Sequence, residues 1–107
     1  MANIDMNQVY LTGRVCRTMI ADEMSLEIKL VSERKSNNGT EVNYIPVKFI
    51  GSIADAAKEK IFHRARISVE GFIRQQQWKN AQGEYHCRLI VVGLGFKVLE
   101  TGSEEGY

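Results

Sequence analysis

Along most of this chain hydrophobic and polar residues alternate, and the period changes in one stretch only. From Asn7 to Arg17, Val9, Leu11, Gly13 and Val15 share one face, while Tyr10, Thr12, Arg14 and Cys16 share the other, the pattern of a half-buried strand. Gly13 inside that run predicts a bulge or a sharp bend. A polar connection near Ala21-Asp22-Glu23 leads to a second strand with Leu26, Ile28 and Leu30 inward. Ser36-Asn37-Asn38-Gly39-Thr40 is the strongest turn signal, because Asn and Gly tolerate the positive φ angles of tight hairpins. A third strand follows, with Ile45, Val47 and Phe49 inward and Tyr44 and Lys48 outward. Pro46 falls in the outward set and has no N–H to give a ladder, so the strand is either at an edge there or bulged.

The period then turns helical, with Ile53, Ala56, Ala57, Lys60 and Ile61 at helical spacing. The pattern predicts a short helix from Ile53 to about His63, capped by Ser52, with Asp55 in its first turn and His63 at its cationic-favoured end. Such a helix plugs one end of a sheet. Two long alternating runs resume from Arg66 and from Glu84, and Ile67 to Val92 reads as one long hairpin around a polar turn. Three strands, one helix and two strands is the element order of an OB-fold. The class is therefore all-β: a five-stranded OB-fold barrel with one short helix between strands 3 and 4. A single domain spans residues 1–107, with its core at 7–99 and a short polar tail at 101–107. An open barrel leaves strand edges exposed, which predicts self-association.

Composition narrows the function without naming it. Hydrophobic residues at 44% and charged residues at 25% suit a folded chain of 107 residues that needs no staples. The formal charge of +1 neither points to nucleic acid nor excludes it, since clustering of charge decides binding. Cys16 and Cys87 form no CxxC and no ligand spacing with His63 or His86, so no metal is expected. Both thiols read as small packing residues. No nucleophile–base pair, carboxylate dyad or phosphate-binding Gly loop can be assembled, so neither enzyme activity nor a cofactor is expected. No secretory signal is visible and no apolar run approaches the ~18 residues of a membrane span. The expected location is the cytoplasm, with reduced thiols.

The chain's only Trp, Trp78, lies beside the polar turn of the long hairpin, with Arg74 and Lys79 close in sequence. An aromatic near a hairpin tip does not easily reach a core. A flat ring with cations on a protruding ribbon suits stacking on unpaired bases.

The motifs are more specific than the element order. Asn7-Gln8-Val9-Tyr10-Leu11-Thr12-Gly13-Arg14-Val15 resembles the opening strand of bacterial single-stranded DNA-binding proteins (SSB), which reads N-x-V-x-L-x-G-x-hydrophobic. Val47-Lys48-Phe49-Ile50-Gly51 resembles their third strand, and Ala54 to Lys60 their short helix. Val69-Glu70-Gly71, Arg74, Trp78, Gly83 and Tyr85 follow their fourth and fifth strands. The resemblance covers roughly residues 7–99. It implies sequence-tolerant binding of single-stranded DNA by aromatic stacking and phosphate neutralisation, in replication, recombination or repair, by a homodimer or homotetramer.

The chain also departs from the family pattern. The usual aromatic at the end of the second strand is replaced by Arg34-Lys35-Ser36, the usual Trp of the third strand by Tyr44, and the usual Phe before its closing Gly by Ile50. Each lost platform is worth ~1–3 kcal/mol. Arg34 and Lys35 are expected to compensate through phosphate contacts, at the cost of salt sensitivity. Family members continue into a Gly/Gln/Pro-rich linker and an acidic tip. This sequence closes on Ser103-Glu104-Glu105-Gly106-Tyr107, which reads as a short form lacking that tail.

The expected DNA-binding set is thus Trp78, Tyr44, Arg34, Lys35, Lys48, Arg74, Lys79, Tyr85 and Arg88. Each has a plainer reading. Trp78 would otherwise cover the hairpin turn, Tyr44 an oligomer contact, Tyr85 a cross-strand pair, and the cations a solvated surface. Tyr10, Thr12 and Arg14 are the expected oligomer contact, and for Arg14 and Arg17 contact with DNA or with a second subunit is expected over solvation. Phe72, on the face of Arg74, suits stacking or subunit contact. RNA is a possible ligand alongside DNA, because stacking platforms do not distinguish the sugar. A second function is carried with the first: an OB-fold interaction module with weakened DNA binding, serving a replication or regulatory protein partner. No membrane partner is expected.

Overall fold

The computed structural model describes residues 4–102, without the side chains of Arg17 and Thr18. The expected contact of Arg17 and the tail from residue 103 onward lie outside the described residues. Five strands and a helix follow in the order β1 (Val9–Ala21), β2 (Ser25–Ser36), β3 (Gly39–Ile50), α1 (Ser52–Lys60), β4 (Arg66–Lys79) and β5 (Tyr85–Glu100). They form a barrel in the order β1-β2-β3-β5-β4, antiparallel throughout except for β3 beside β5. This is the OB-fold arrangement read from the element order, with one correction: the barrel is closed, so open barrel edges do not drive self-association. Closure depends on β1 changing neighbours. Its first half pairs with β4, from Val9↔Gly71 to Arg14↔Arg66, and its second half pairs with β2, from Arg14↔Val31 to Ala21↔Leu26.

The inward residues of the alternation make the core. Val15, Leu26, Ile28, Leu30, Val47, Phe49, Ile67 and Val69 are buried. A fully buried aliphatic or aromatic side chain contributes about 1.5–3 kcal/mol. Phe49 packs edge-on against Phe96, with centroids 5.6 Å apart, and a Cβ at Gly93 would lie 2.4 Å from the Phe49 ring. Gly93 is therefore a close approach of β5 to the core. The same holds for Gly13, where a Cβ would lie 2.5 Å from the Val31 carbonyl oxygen. The bulge expected at Gly13 is not there: the ladder is regular through Gly13↔Ile67, and β1 shifts register between Val15 and Met19 instead. Pro46 sits at an edge, since β3 meets β5 only from Val47 onward and β2–β3 pairing runs through Pro46 without a shift.

Local details of turns and caps differ from the sequence reading. In the Asn37-Asn38 turn only Gly39 takes positive φ, at 126°. The helix begins one residue early, with Ser52 already helical and Gly51 (φ 80°) in the cap position, and Ser52 makes no side-chain cap. It ends at Lys60, so His63 does not cap it; the His63 ring faces the Cys16 carbonyl at 3.4 Å instead. Ala54 and Ala57 are its buried face, joined by Ile61 just beyond its end, while Lys60 is exposed. This face seals the barrel end that also holds the β1–β2 turn, where Gly51 donates to the Met24 carbonyl and Lys58 to that of Asp22. The opposite end is left to two hairpin arms. Beyond Val31 and Gly71, β2–β3 and β4–β5 run on without a partner from β1.

Candidate nucleic-acid interface

Register decides which side chains the arms bring together. Paired residues share a face and successive residues alternate. On the barrel, Val47 and Val91 point into the core, so Lys48, Val92 and their same-parity neighbours point out. Following that parity along the unshifted arms places Tyr44 and Lys35 with Lys48, and Arg74, Gln76, Trp78, His86 and Arg88 with Val92. Six of the nine expected residues, Trp78, Tyr44, Lys35, Lys48, Arg74 and Arg88, therefore share the outer face of β2–β3–β5–β4. The other three, Arg34, Lys79 and Tyr85, lie on the reverse faces of the arms. There Arg34 is paired with Glu41 at 2.9 Å, and Lys79 Nζ lies 5.1 Å from the Tyr85 ring centroid. Tyr85 is thus engaged in the cross-strand pair that was its plainer reading.

Trp78 is 46% exposed, and one face of its indole is backed by His86, with centroids 5.7 Å apart and planes 19° from parallel. The His86 ring is itself held. The Asn80 side-chain oxygen accepts from the backbone N–H of Gln82 (3.0 Å) and Glu84 (2.9 Å), which turns the Asn80 amide nitrogen toward Glu84 Oε1 (2.9 Å) and His86 Nε2 (3.0 Å). The turn thus orients the imidazole, the imidazole backs the indole, and the far indole face is left open. An open concavity of about 620 Å³ lies beside it, lined by Arg74, Gln75, Gln76, Gln77, Trp78 and Arg88. Arg74 lies over the Phe72 ring at 5.2 Å. Tyr44 is 63% exposed on the facing arm.

Lys48 stands nearer the helix end, where it is half-buried. Its charge helps hold the Asp22 carboxyl below the ordinary value of 3.8, behind the larger effects of hydrogen bonds from the Met24 backbone and the Ser25 hydroxyl. Arg88 is not free: Nη1 and Nη2 donate to Glu27 (3.1 and 2.6 Å) and Nε to Gln76 (2.8 Å). Sequence reasoning missed His86, Asn80, Glu27 and Gln76. His86 and Gln76 were reachable from the hairpin register, which sets them opposite Trp78 and Arg88. Glu27 was not, because its contact with Arg88 crosses from β2 to β5 over β3.

Tyr10, Thr12 and Arg14 point outward together, opposite Glu70, Ser68 and Arg66. Tyr10 is 72% exposed, and Leu94 and Leu99 of β5 are exposed as well. Arg14 already donates to the Arg64 carbonyl and to Glu100, each at 3.0 Å. Both thiols are free; Cys16 is half-buried and Cys87 exposed, so Cys87 is not a packing residue. Among the described residues no cluster of His, Cys, Asp and Glu could hold a metal ion, and no helix is long and apolar enough to cross a membrane.

Comparison with known proteins agrees with this geometry. No curated protein sequence matches the chain. Among solved structures, a single-stranded DNA-binding protein of Plasmodium falciparum in complex with ssDNA is similar, with a TM-score of 0.76 at 14% identity, over 94% of this chain and 100% of that one. A small single-stranded DNA-binding protein from Streptomyces coelicolor gives 0.69 at 12% identity, over 89% and 95%. The mitochondrial protein Rim1 of S. cerevisiae gives 0.68 at 16%, over 92% and 100%. At these identities the likeness establishes the fold. The model of the single-strand binding protein family matches residues 6–98. That match covers most of the chain, which therefore belongs to the single-strand binding protein family, a group of non-enzymatic DNA-binding proteins.

Proposed function

We propose that this protein is a single OB module that binds single-stranded DNA with little sequence preference and shields it during replication, recombination or repair in the cytoplasm. The observation that carries this reading is the exposed Trp78 indole, backed on one side by His86 and open on the other, on the same outer face as Tyr44. Bases stack on Trp78 and Tyr44, each worth ~1–3 kcal/mol. Arg74, Lys35 and Lys48 neutralise phosphates on that face. Arg34 and Lys79, on the reverse faces of the arms, meet a strand that wraps around them, and Tyr85 steadies Lys79. RNA fits the same platforms. The active form is a homodimer or homotetramer joined through the face of Tyr10, Thr12 and Arg14, where exposed Tyr10 and Leu94 favour burial.

The test is a titration with oligo-dT followed by Trp78 fluorescence, repeated over a range of salt. Strong quenching that weakens with salt is expected, and replacing both Trp78 and Tyr44 with Ala should weaken binding by ~2–6 kcal/mol if the two platforms act independently. Absence of quenching and of a gel shift at low salt would rule the reading out. A second reading, a protein-interaction module, is favoured by one observation: Arg34 and Arg88 are already paired with Glu41 and Glu27. It gains if biological activity survives the double substitution.

A further inference from the structure

Arg88 lies in the middle of the outer face but is poorly placed to bind phosphate. A guanidinium offers five N–H donors, and the fork that would clasp an anion is the one it presents edge-on. In Arg88 that fork is closed on a carboxylate, with Nη1 to Glu27 Oε2 at 3.1 Å and Nη2 to Glu27 Oε1 at 2.6 Å, while Nε is spent on Gln76 Oε1 at 2.8 Å. The Glu27 side chain is 19% exposed, so its charge is well placed to offset that of Arg88 locally. Yet the Arg88 side chain remains 40% exposed and lines the concavity beside Trp78. A group with its clasping fork and Nε bonded and its charge offset still has a flat face to offer.

The aromatic neighbour of that face is Trp78. Arg88 is paired with Gln76, two residues from the Trp78↔His86 pair on the same face, roughly 7 Å along the strand. Tyr44 stands on the same outer face, on β3, before the stretch where β3 pairs with β5. The guanidinium reaches Glu27, the β2 partner of Lys48, so its plane lies over β3 on that outer face and lines the same concavity as Trp78. We propose that Arg88 is a third stacking platform, a guanidinium plane for an unpaired base, with Glu27 and Gln76 as the positioning residues that hold it flat. The proposal rests on the single-strand binding reading above. Guanidinium planes stack on bases as aromatic rings do, and a carboxylate clasp fixes the plane at no further cost in ordering when the strand arrives.

The experiment compares wild type, Arg88→Ala, Arg88→Lys, Arg88→Tyr and Glu27→Ala on oligo-dT and on an abasic strand of equal length, over a series of salt concentrations. A platform loses affinity for oligo-dT on the order of tenfold in both Arg88→Ala and Arg88→Lys, is restored toward wild type by Arg88→Tyr, and leaves the abasic strand and the salt slope unchanged. Glu27→Ala frees the fork, so binding to the abasic strand rises and the log–log salt slope steepens by about 0.7, one additional phosphate contact. The proposal is overturned if Arg88→Lys matches wild type while Arg88→Ala weakens both strands and flattens the slope, which is the behaviour of a phosphate ligand. It is equally overturned if no Arg88 variant moves binding, which leaves the ion pair as a tie between β2 and β5. If wild type itself fails to bind oligo-dT, the underlying reading falls as well, a result distinct from either.

Discussion

Asn7 supplies to β4 what a neighbouring strand would. Its side-chain amide donates to the Ile73 carbonyl at 2.7 Å and accepts from the Ile73 N–H at 2.8 Å, one step beyond the last backbone pair, Val9↔Gly71. The arm that carries Trp78 is thereby clamped where it leaves the barrel. Asn7→Ala should cost about 1 kcal/mol of stability, seen as a lower thermal midpoint, and should weaken oligo-dT binding more than that loss alone, because the arm loses its root. At this scale the sequence was informative about faces and silent about partners. Alternation alone puts Tyr44 opposite in direction to the partly buried Ile45 and the buried Val47. It cannot say that Arg34 is turned to Glu41 on the reverse face, because a cation's neighbours across a sheet depend on register as well as on its own spacing.

The β1–β2 turn shows what an element owes to one carboxylate. Asp22 Oδ1 accepts from the Met24 N–H (2.9 Å), the Ser25 N–H (2.8 Å) and the Ser25 hydroxyl (3.0 Å), which pulls its pKa below 3.8. A depressed carboxyl stabilises the fold while ionised and loses that contribution as pH falls through the folded value. The thermal midpoint should therefore drop on acidification from about pH 5 to pH 3, and the part of the drop due to this turn should vanish in Asp22→Asn. Elements were the most legible scale. The five strands, their order and the long hairpin follow from period alone. The helix cap did not, because Ser52 has the chemistry of a cap but Gly51 has the φ freedom the chain needs to leave β3. The bulge was misplaced for a related reason: glycine marks a place where no side chain fits, and at Gly13 the obstacle is the Val31 carbonyl rather than an extra residue.

For the whole molecule, the closed barrel shifts the argument for self-association from edges to faces. Tyr10, with exposed Leu94 and Leu99 on the sheet of β1, β4 and β5, offers the apolar surface for the self-association proposed above. Tyr10→Asp should therefore lower the mass observed by sedimentation equilibrium while leaving the circular dichroism spectrum unchanged; an unaltered mass would remove this face as the contact. Closure itself was not legible. It depends on β1 serving two strands in succession, and a pattern of alternating residues says which way each side chain faces but not how many neighbours a strand will have.

That double service also sets an order of events during synthesis. The first strand to leave the ribosome finds β2 for its second half almost at once, but the partner of its first half is β4, which begins only at Arg66. Until then the residues from Val9 to Gly13 have no sheet to join, and the nascent chain carries a ribbon with one side unsewn. The strand made first is thus left half-sewn until the chain has passed the helix and entered β4.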